Sequence, residues 1–302
     1  MHNQEENRKD MPNISYVFPN VTEIAQRGGL LERWETAITL GCDYIEIPAD
    51  LIKNRTEIKK TALNLGGFLT KQAIDALYVK DRDIPTDLKY ILHTEPSLTR
   101  NDGCGISHQA QLKWYDENWV EDFTEMIILV SQFFGVPAAA IEIHPGNRRN
   151  SFKGLVKSII FILEKYSEQL KTEPIILIEN RTGQFISKGS DILDFWSFLS
   201  TNYPGLNEKV GFILDVQQLY TVTKGNFIEE LELIPSESLK GFHVHHKHKA
   251  PGLSDEIPWA QFFSKMACID KSMIINPEIH HKNKVNDAIK FCEEMLHSRI
   301  KA

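Results

Sequence analysis

AAIEIHPGNRRNSFKGLVKSIIFILEKYSEQLKTEPIILIE, residues 139–179, decides the fold. Its two ends, AAIEIH (139–144) and PIILIE (174–179), are short, apolar and rich in isoleucine, as strands buried on both faces are. Between them LVKSIIFILEKYSEQLK (155–171) places apolar residues at helical spacing, so that one face packs and the other meets water. Strand, helix and strand over this length predict a βαβ unit, in which the helix carries the chain back and the two strands run parallel. Both strands also finish on an ionisable residue, His144 and Glu179.

The same alternation extends in both directions. Further strand-like runs are ISYVF (14–18), DYIEI (43–47), KYILH (89–93), VGFILD (210–215), GFHVH (241–245) and SMIINPE (272–278). Helical spacing recurs in LLERWETAITLG (30–41), WVEDFTEMIILVSQFFG (119–135), DILDFWSFLSTNY (191–203) and VNDAIKFCEEMLHSRI (285–300). Eight such strands alternating with helices predict an α/β fold of the (β/α)8 TIM-barrel type. A doubly wound open sheet is the competing arrangement. Against it, no GxGxxG follows the first strand and no P-loop Gly-Lys-Ser/Thr occurs. The segment after the third run, TEPSLTRNDGCGISHQAQ (94–111), is long enough to serve as an active-site lid.

Hydrophobic residues at 42% and charged residues at 25% are those of an ordinary globular chain. The formal net charge of -7 provides no general electrostatic footprint for nucleic acid, which leaves room only for a local basic groove. Cys42, Cys104, Cys268 and Cys292 form no CxxC pair, as expected of a reduced cytoplasmic protein. The N-terminus is polar, without the apolar core of a signal peptide, and no run approaches membrane-spanning length. Residues 1–12 are expected to form a flexible tail and residues 13–302 a single barrel domain.

In a TIM barrel the chemistry gathers at the C-terminal ends of the strands. Those ends carry Glu46, His93, His144, Glu179, Asp215, His243 and Glu278. Ionisable side chains are costly on apolar strands unless paired or bound to metal. One strand-end histidine is commonly structural, but a whole ring of them predicts a divalent-metal site with mixed N/O donors, suited to zinc or manganese. Glu179, Asp215, His243 and Glu278 come from four consecutive strands and form the first candidate set. His93 and His144 form a second with Glu179 as a bridging carboxylate. A general acid/base site, in which the same groups hydrogen-bond one another, is the other reading. Glu46 serves equally as the anchor of a neighbouring loop, and His280 and His281 are expected in a loop. Arg148 and Arg149 are either a solvated pair or phosphate contacts.

The order His93, His144-Pro145-Gly146, Glu179-Asn180 with Gly183-Gln184, Asp215, His243 and Glu278 resembles the xylose isomerase-like TIM barrels. Within them it most resembles the endonuclease IV family, the family-2 apurinic/apyrimidinic endonucleases. The similarity runs from Gly28-Gly29-Leu30 to the C-terminus, and IEIHPG and LIENRTGQ are its most specific pieces. The resemblance implies cleavage of the DNA backbone at abasic sites with zinc ions. It implies a first ion on His93, His144 and Glu179 and a second on Glu179, Asp215, His243 and Glu278. A third ion in the family uses a His three residues after the sixth-strand Asp and an Asp-x-His pair after the seventh strand. Here Gln218 stands at the first of these positions, and His246 and His248 stand at the pair, which leaves the third site short of a ligand. The family's DNA-inserting loop reads TEPSL here, with Leu98 but no Tyr.

Two enzymatic functions remain open from the sequence. A phosphodiesterase would use the two sets as a metal pair and Arg148, Arg149 and Arg181 as phosphate contacts. A sugar or sugar-phosphate isomerase or epimerase would use one ion, manganese in that case, with Glu179 and Glu278 as the acid/base pair. The bland alternative is a metal-binding barrel without catalysis. DNA with an abasic site, or a small sugar, is the corresponding partner, with no membrane involved.

Overall fold

The computed structural model describes residues 13–20, 29–48, 84–94, 98–101, 107–110, 112–269 and 271–300. In chain order the strands are β1 (Ile14–Phe18), β2 (Tyr44–Pro48), β3 (Tyr90–His93), β4 (Leu98–Asn101), β5 (Ser107–Ala110), β6 (Ala140–Ile143), β7 (Ile175–Glu179), β8 (Val210–Asp215), β9 (Leu239–His243) and β10 (Met273–Asn276). All but β4 and β5 close into one parallel barrel, each pairing with the next in sequence and β10 returning to β1. The expected (β/α)8 barrel is the observed fold.

The helices are α1 (Gly29–Thr39), α2 (Glu117–Phe134), α3 (Phe152–Leu170), α4 (Gly189–Asn202), α5 (Val216–Thr223), α6 (Phe227–Leu233), α7 (Trp259–Ala267) and α8 (Lys282–Ile300). Several of them start where the sequence supplies a cap. Asp116 accepts the Trp119 N–H at the start of α2, and Ser151 accepts the Gly154 N–H at the start of α3. The buried face of α3, including Leu155, Ile159, Ile162 and Leu163, joins the core cluster that also holds Ile141, Ile143, Ile176 and Ile178 of the strands. Burial of this layer between strands and helices is the main stabilising term of the fold.

Side chains alternate along each strand, so the neighbours of these residues point the other way. Val17, Ile91, Ala140, Leu177 and Ile213, with Tyr44 and Ile274 against them, make a separate apolar cluster that plugs the barrel interior. Gly241 adds to this layer by omission: a Cβ there would lie 2.5 Å from the Ile274 carbonyl oxygen. The next inward position on each barrel strand lies above this plug, and on all but β1, where it is Pro19, the chain turns polar there.

The segment after β3, expected as a long loop able to serve as a lid, contains a strand pair. β4 and β5 pair antiparallel, Leu98 opposite Ala110 and Asn101 opposite Ser107, outside the barrel. The expected N-terminal tail, Gly28 and Cys104 lie outside the described residues. Among the described residues no helix is long and apolar enough to cross a membrane.

Candidate metal centre

One step beyond the apolar plug, the inward positions are Glu46, His93, Glu142, Glu179, Asp215, His243 and Asn276. All are buried except His93, whose side chain keeps 12% exposure. A further step brings in His144 and His245, both fully buried, and Glu278 follows β10 at the more open side. Carboxylates and imidazoles thus share a cavity floored by hydrocarbon, where none can be left without a counter-charge.

Two of these groups match the sets expected from sequence. The Nε2 of His93 lies 3.1 Å from Glu179 Oε2 and 3.3 Å from His144 Nε2, and His144 Nε2 is 3.4 Å from the same Glu179 oxygen. Asp215, His243 and Glu278 form the second, with His243 Nδ1 3.4 Å from Glu278 Oε2. Glu179 adjoins this set too, its Oε2 4.0 Å from His243 Nδ1. Glu179 therefore stands between the two, touching imidazoles of both.

Sequence reasoning missed Glu142. Its Oε1 is 3.0 Å from His243 Nε2 and 3.3 Å from His93 Nε2, and it groups with Glu179 and His243 as a further set of possible ligands. The signal was present: Glu142 precedes His144 by two and so shares its face, although the run itself ends on His144. Asn276 was missed for the same reason. Its amide donates to Glu46 Oε2 at 3.1 Å. Glu46 also accepts the Asn20 N–H at 2.9 Å and pairs through Oε1 with His93 Nδ1, so it ties the loop after β1 to the site and orients an imidazole.

Several donor atoms crowd together without forming hydrogen bonds. Both oxygens of Glu142, Oε1 of Glu179, Oδ2 of Asp215, Nδ1 of His243 and Oε2 of Glu278 are buried without a partner in hydrogen-bonding geometry. Mixed carboxylate and imidazole donors gathered this way fit a divalent cation. Without one, protons must balance the charge. Burial opposes a charge on His93 and His243, yet Glu142 and Glu46 raise His93 well above the usual histidine range, and Glu142 and Glu179 do the same for His243. His144 is pushed down to about 3, chiefly by burial. Burial also raises Glu179. Burial works against the Glu46 charge too, but His93 beside it brings that carboxyl down to about 2.

His245 and the residues expected at a third ion are placed differently. His245 directs Nε2 at Glu278 Oε2 (3.2 Å) and Asp215 Oδ2 (3.5 Å) while Nδ1 accepts the His248 N–H. His248 stacks between His245 and His280, with ring centroids 4.7 and 4.1 Å away, and its Nδ1 is 3.9 Å from Glu278 Oε1. His246 does not join it, pairing instead with Asp255 at 2.9 Å. Gln218 turns its side-chain oxygen to the Thr182 N–H. The structure does not bring Gln218, His246 and His248 together. Arg181 reaches within 4.0 Å of Glu179 Oε1, whereas Arg148 and Arg149 lie exposed on the turn after Gly146.

The two most specific motifs act as clamps on the site. Gly146 has φ +83, and a Cβ there would sit 2.4 Å from Asn150 Nδ2, so glycine is required. Its N–H donates to Gln184 Oε1 at 2.6 Å, and its carbonyl accepts the Phe185 N–H at 3.0 Å. IEIHPG and LIENRTGQ are thereby tied together. Asn180 does the same between β7 and β8: its side-chain oxygen accepts the Asp215 N–H (2.8 Å) and its amide donates to the Asp215 carbonyl (3.2 Å). Asp215 Oδ1 in turn caps α5 by accepting the Gln218 N–H, which leaves Oδ2 for the cavity.

No protein-family model matches the sequence, and no curated protein matches it. Among solved structures, an AP endonuclease of family 2 from Brucella melitensis superposes with a TM-score of 0.58 at 11% identity, over 94% of this chain and 99% of that one. D-psicose 3-epimerase from Clostridium cellulolyticum H10, solved with D-tagatose, gives 0.56 at 14% identity over 93% and 99%. The fold is that of the xylose isomerase-like TIM barrels. A third barrel of this kind, the IOLI protein, was solved with a bound zinc atom and gives 0.52 at 13% identity over 95% and 98%. At such identities, what this chain shares with these barrels is the fold.

Proposed function

We propose that the protein is a divalent-metal-dependent phosphodiesterase of the endonuclease IV kind, acting at an abasic site in DNA. The observation that carries this reading is the pair of adjoining donor sets, His93–His144–Glu179 and Asp215–His243–Glu278, with Glu179 bordering both. Zinc ions held there would supply Lewis acidity to a phosphodiester and a nucleophile at neutral pH. Glu179 sets the separation of the two sets. Arg181, 4.0 Å from Glu179 Oε1 and with 29% of its side chain exposed, supports the reading as a contact for a phosphate oxygen. Arg148 and Arg149 sit on the turn joined to the Arg181 loop through Gly146 and Gln184, so a backbone entering the mouth meets the three arginines on connected loops. The Brucella melitensis AP endonuclease, which shares the fold, supports the reading by analogy.

A second reading, a sugar or sugar-phosphate epimerase or isomerase, has its own observation. Glu179 Oε2 and Glu278 Oε2 flank the same His243 nitrogen at 4.0 and 3.4 Å, which suits one ion, such as manganese, with a carboxylate on each side to exchange a proton at carbon. The epimerases among the barrels of this fold support it likewise. Metal analysis of the purified protein, with an abasic-site duplex and a ketose as substrates, separates the two. Two or more zinc per chain with nicking of the duplex supports the phosphodiesterase. One metal per chain with hydrogen exchange into the ketose and an intact duplex supports the epimerase. Bound metal with neither activity supports a barrel that has lost catalysis.

A further inference from the structure

We infer that the outer face of the His280 ring is a stacking platform for a nucleobase, and that Lys247 and Lys249 beside it take neighbouring phosphates. The inference rests on the phosphodiesterase reading. It adds a second bank of DNA contacts on the loops after β9 and β10, separated by β8 from the arginine loops after β6 and β7.

Three observations carry it. His245, His248 and His280 form a parallel stack, with successive ring centroids 4.7 and 4.1 Å apart and planes inclined by 7° and 9°. His245 is fully buried, and His280 at the other end is exposed. His248 covers the inner face of His280, so the surface that His280 retains belongs to its outer face and edge. A ring held flat with one face open accepts an unstacked base of any sequence, because every base has a π-face. The stack is also built at a cost in backbone strain. Lys247 and His248 lie at φ 54 and 56, in the left-handed region. They form the two-residue turn between His246 and Lys249, which exchange N–H···O bonds of 3.0 Å. Such turns ordinarily take Asn-Gly, and larger side chains persist there only where the surroundings hold them, as at ligand clamps. Here Gln217 accepts the Lys247 N–H, His245 Nδ1 accepts the His248 N–H at 3.2 Å, and the His248 carbonyl accepts the His280 N–H at 3.3 Å. The turn thereby fixes His248 as the middle ring. The third observation is charge. Lys247 and Lys249 are exposed, and neither pairs with a carboxylate among the described residues, in a chain whose formal net charge is -7. Free cations flanking an aromatic face fit a phosphate backbone and its bases. The inner end of the stack sets the register: His245 Nε2 faces Glu278 Oε2 and Asp215 Oδ2, so a base on His280 holds its strand beside the second donor set.

The test measures, by fluorescence anisotropy, binding of an abasic-site duplex whose scissile linkage is a non-hydrolysable methylene phosphonate. The zinc-loaded full chain is compared with H280A, H280F and K247A/K249A, each checked for wild-type zinc content. H280A is expected to bind about 10–100-fold more weakly, and H280F at about wild-type affinity, because the flat ring and not its nitrogens carries the contact. K247A/K249A should lower the slope of log affinity against log salt by about 2. H280A that binds as wild type does, or H280F as weak as H280A, overturns the platform while leaving the phosphodiesterase reading standing. An unchanged salt slope in K247A/K249A overturns the phosphate contacts. Wild type that binds no abasic-site duplex overturns the phosphodiesterase reading itself, and this inference with it.

Discussion

Glu179 shows how much can depend on one inward position. It follows Leu177, part of the apolar plug, by one step of the β7 alternation, and a single oxygen of it lies within 4.0 Å of three imidazoles. E179Q removes the charge common to both donor sets, whereas D215N touches only the second. E179Q is therefore expected to lower the zinc content of the purified protein at both sets, with affinity falling by more than about 100-fold, since changes behind the ligands alone cost 10–100-fold. D215N should keep the ion on His93, His144 and Glu179. Equal zinc content in E179Q and wild type would remove Glu179 from the centre. At this scale the sequence was informative where a strand ended on a charged residue, because an apolar run makes the exception stand out. It marked Glu142 and Asn276 less plainly. Each sits inside its run, and only the face it shares with His144 or with Glu278 marks it as inward.

At the scale of elements, the motifs that carried the resemblance turn out to be joints between strands and loops. Ala at position 146 would meet both a left-handed backbone and the Asn150 side chain. G146A is expected to lose about 1–3 kcal/mol in urea unfolding, and to weaken zinc at His144 because the Gln184 clamp is displaced. Asn180 extends the β7–β8 ladder with a side chain in place of a backbone pair. N180A strands the buried Asp215 N–H, and should destabilise by about 1–3 kcal/mol on the same measurement. A stability within a few tenths of a kcal/mol of wild type would mean that β8 holds Asp215 without help. The barrel strands and principal helices were legible because their periodicities are long and unbroken. The β4–β5 hairpin was not, since LTRN and SHQA show neither alternation nor a β-branched run, and its pairing arises from backbone groups that composition does not reveal.

The whole molecule places its charge problem in one cavity. Five carboxylates (Glu46, Glu142, Glu179, Asp215 and Glu278) meet four imidazoles (His93, His144, His243 and His245) above a hydrocarbon floor. In the metal-free protein, protons must supply the balance; within the two donor sets they reside on the raised His93 and His243, and beside them on His245, which against burial Asp215 and Glu278 bring up to about 10. The sign follows from that direction. Each imidazolium–carboxylate pair stabilises the metal-free fold fully below the unfolded histidine value of about 6.5, and this contribution fades as pH rises through the higher folded value. Zinc needs the lone pairs that those protons occupy, so loading expels them, and affinity must climb with pH for as long as the rings remain charged. With two such rings the climb approaches about 100-fold per pH unit, corresponding to about two protons released per chain. Calorimetric titration with zinc in two buffers of different protonation enthalpy, at pH 6 and again at pH 8, counts those protons directly. Affinity that stays flat between these pH values, with no proton release, would show that His93 and His243 are neutral before the ion arrives, and that the carboxylates are balanced in some other way.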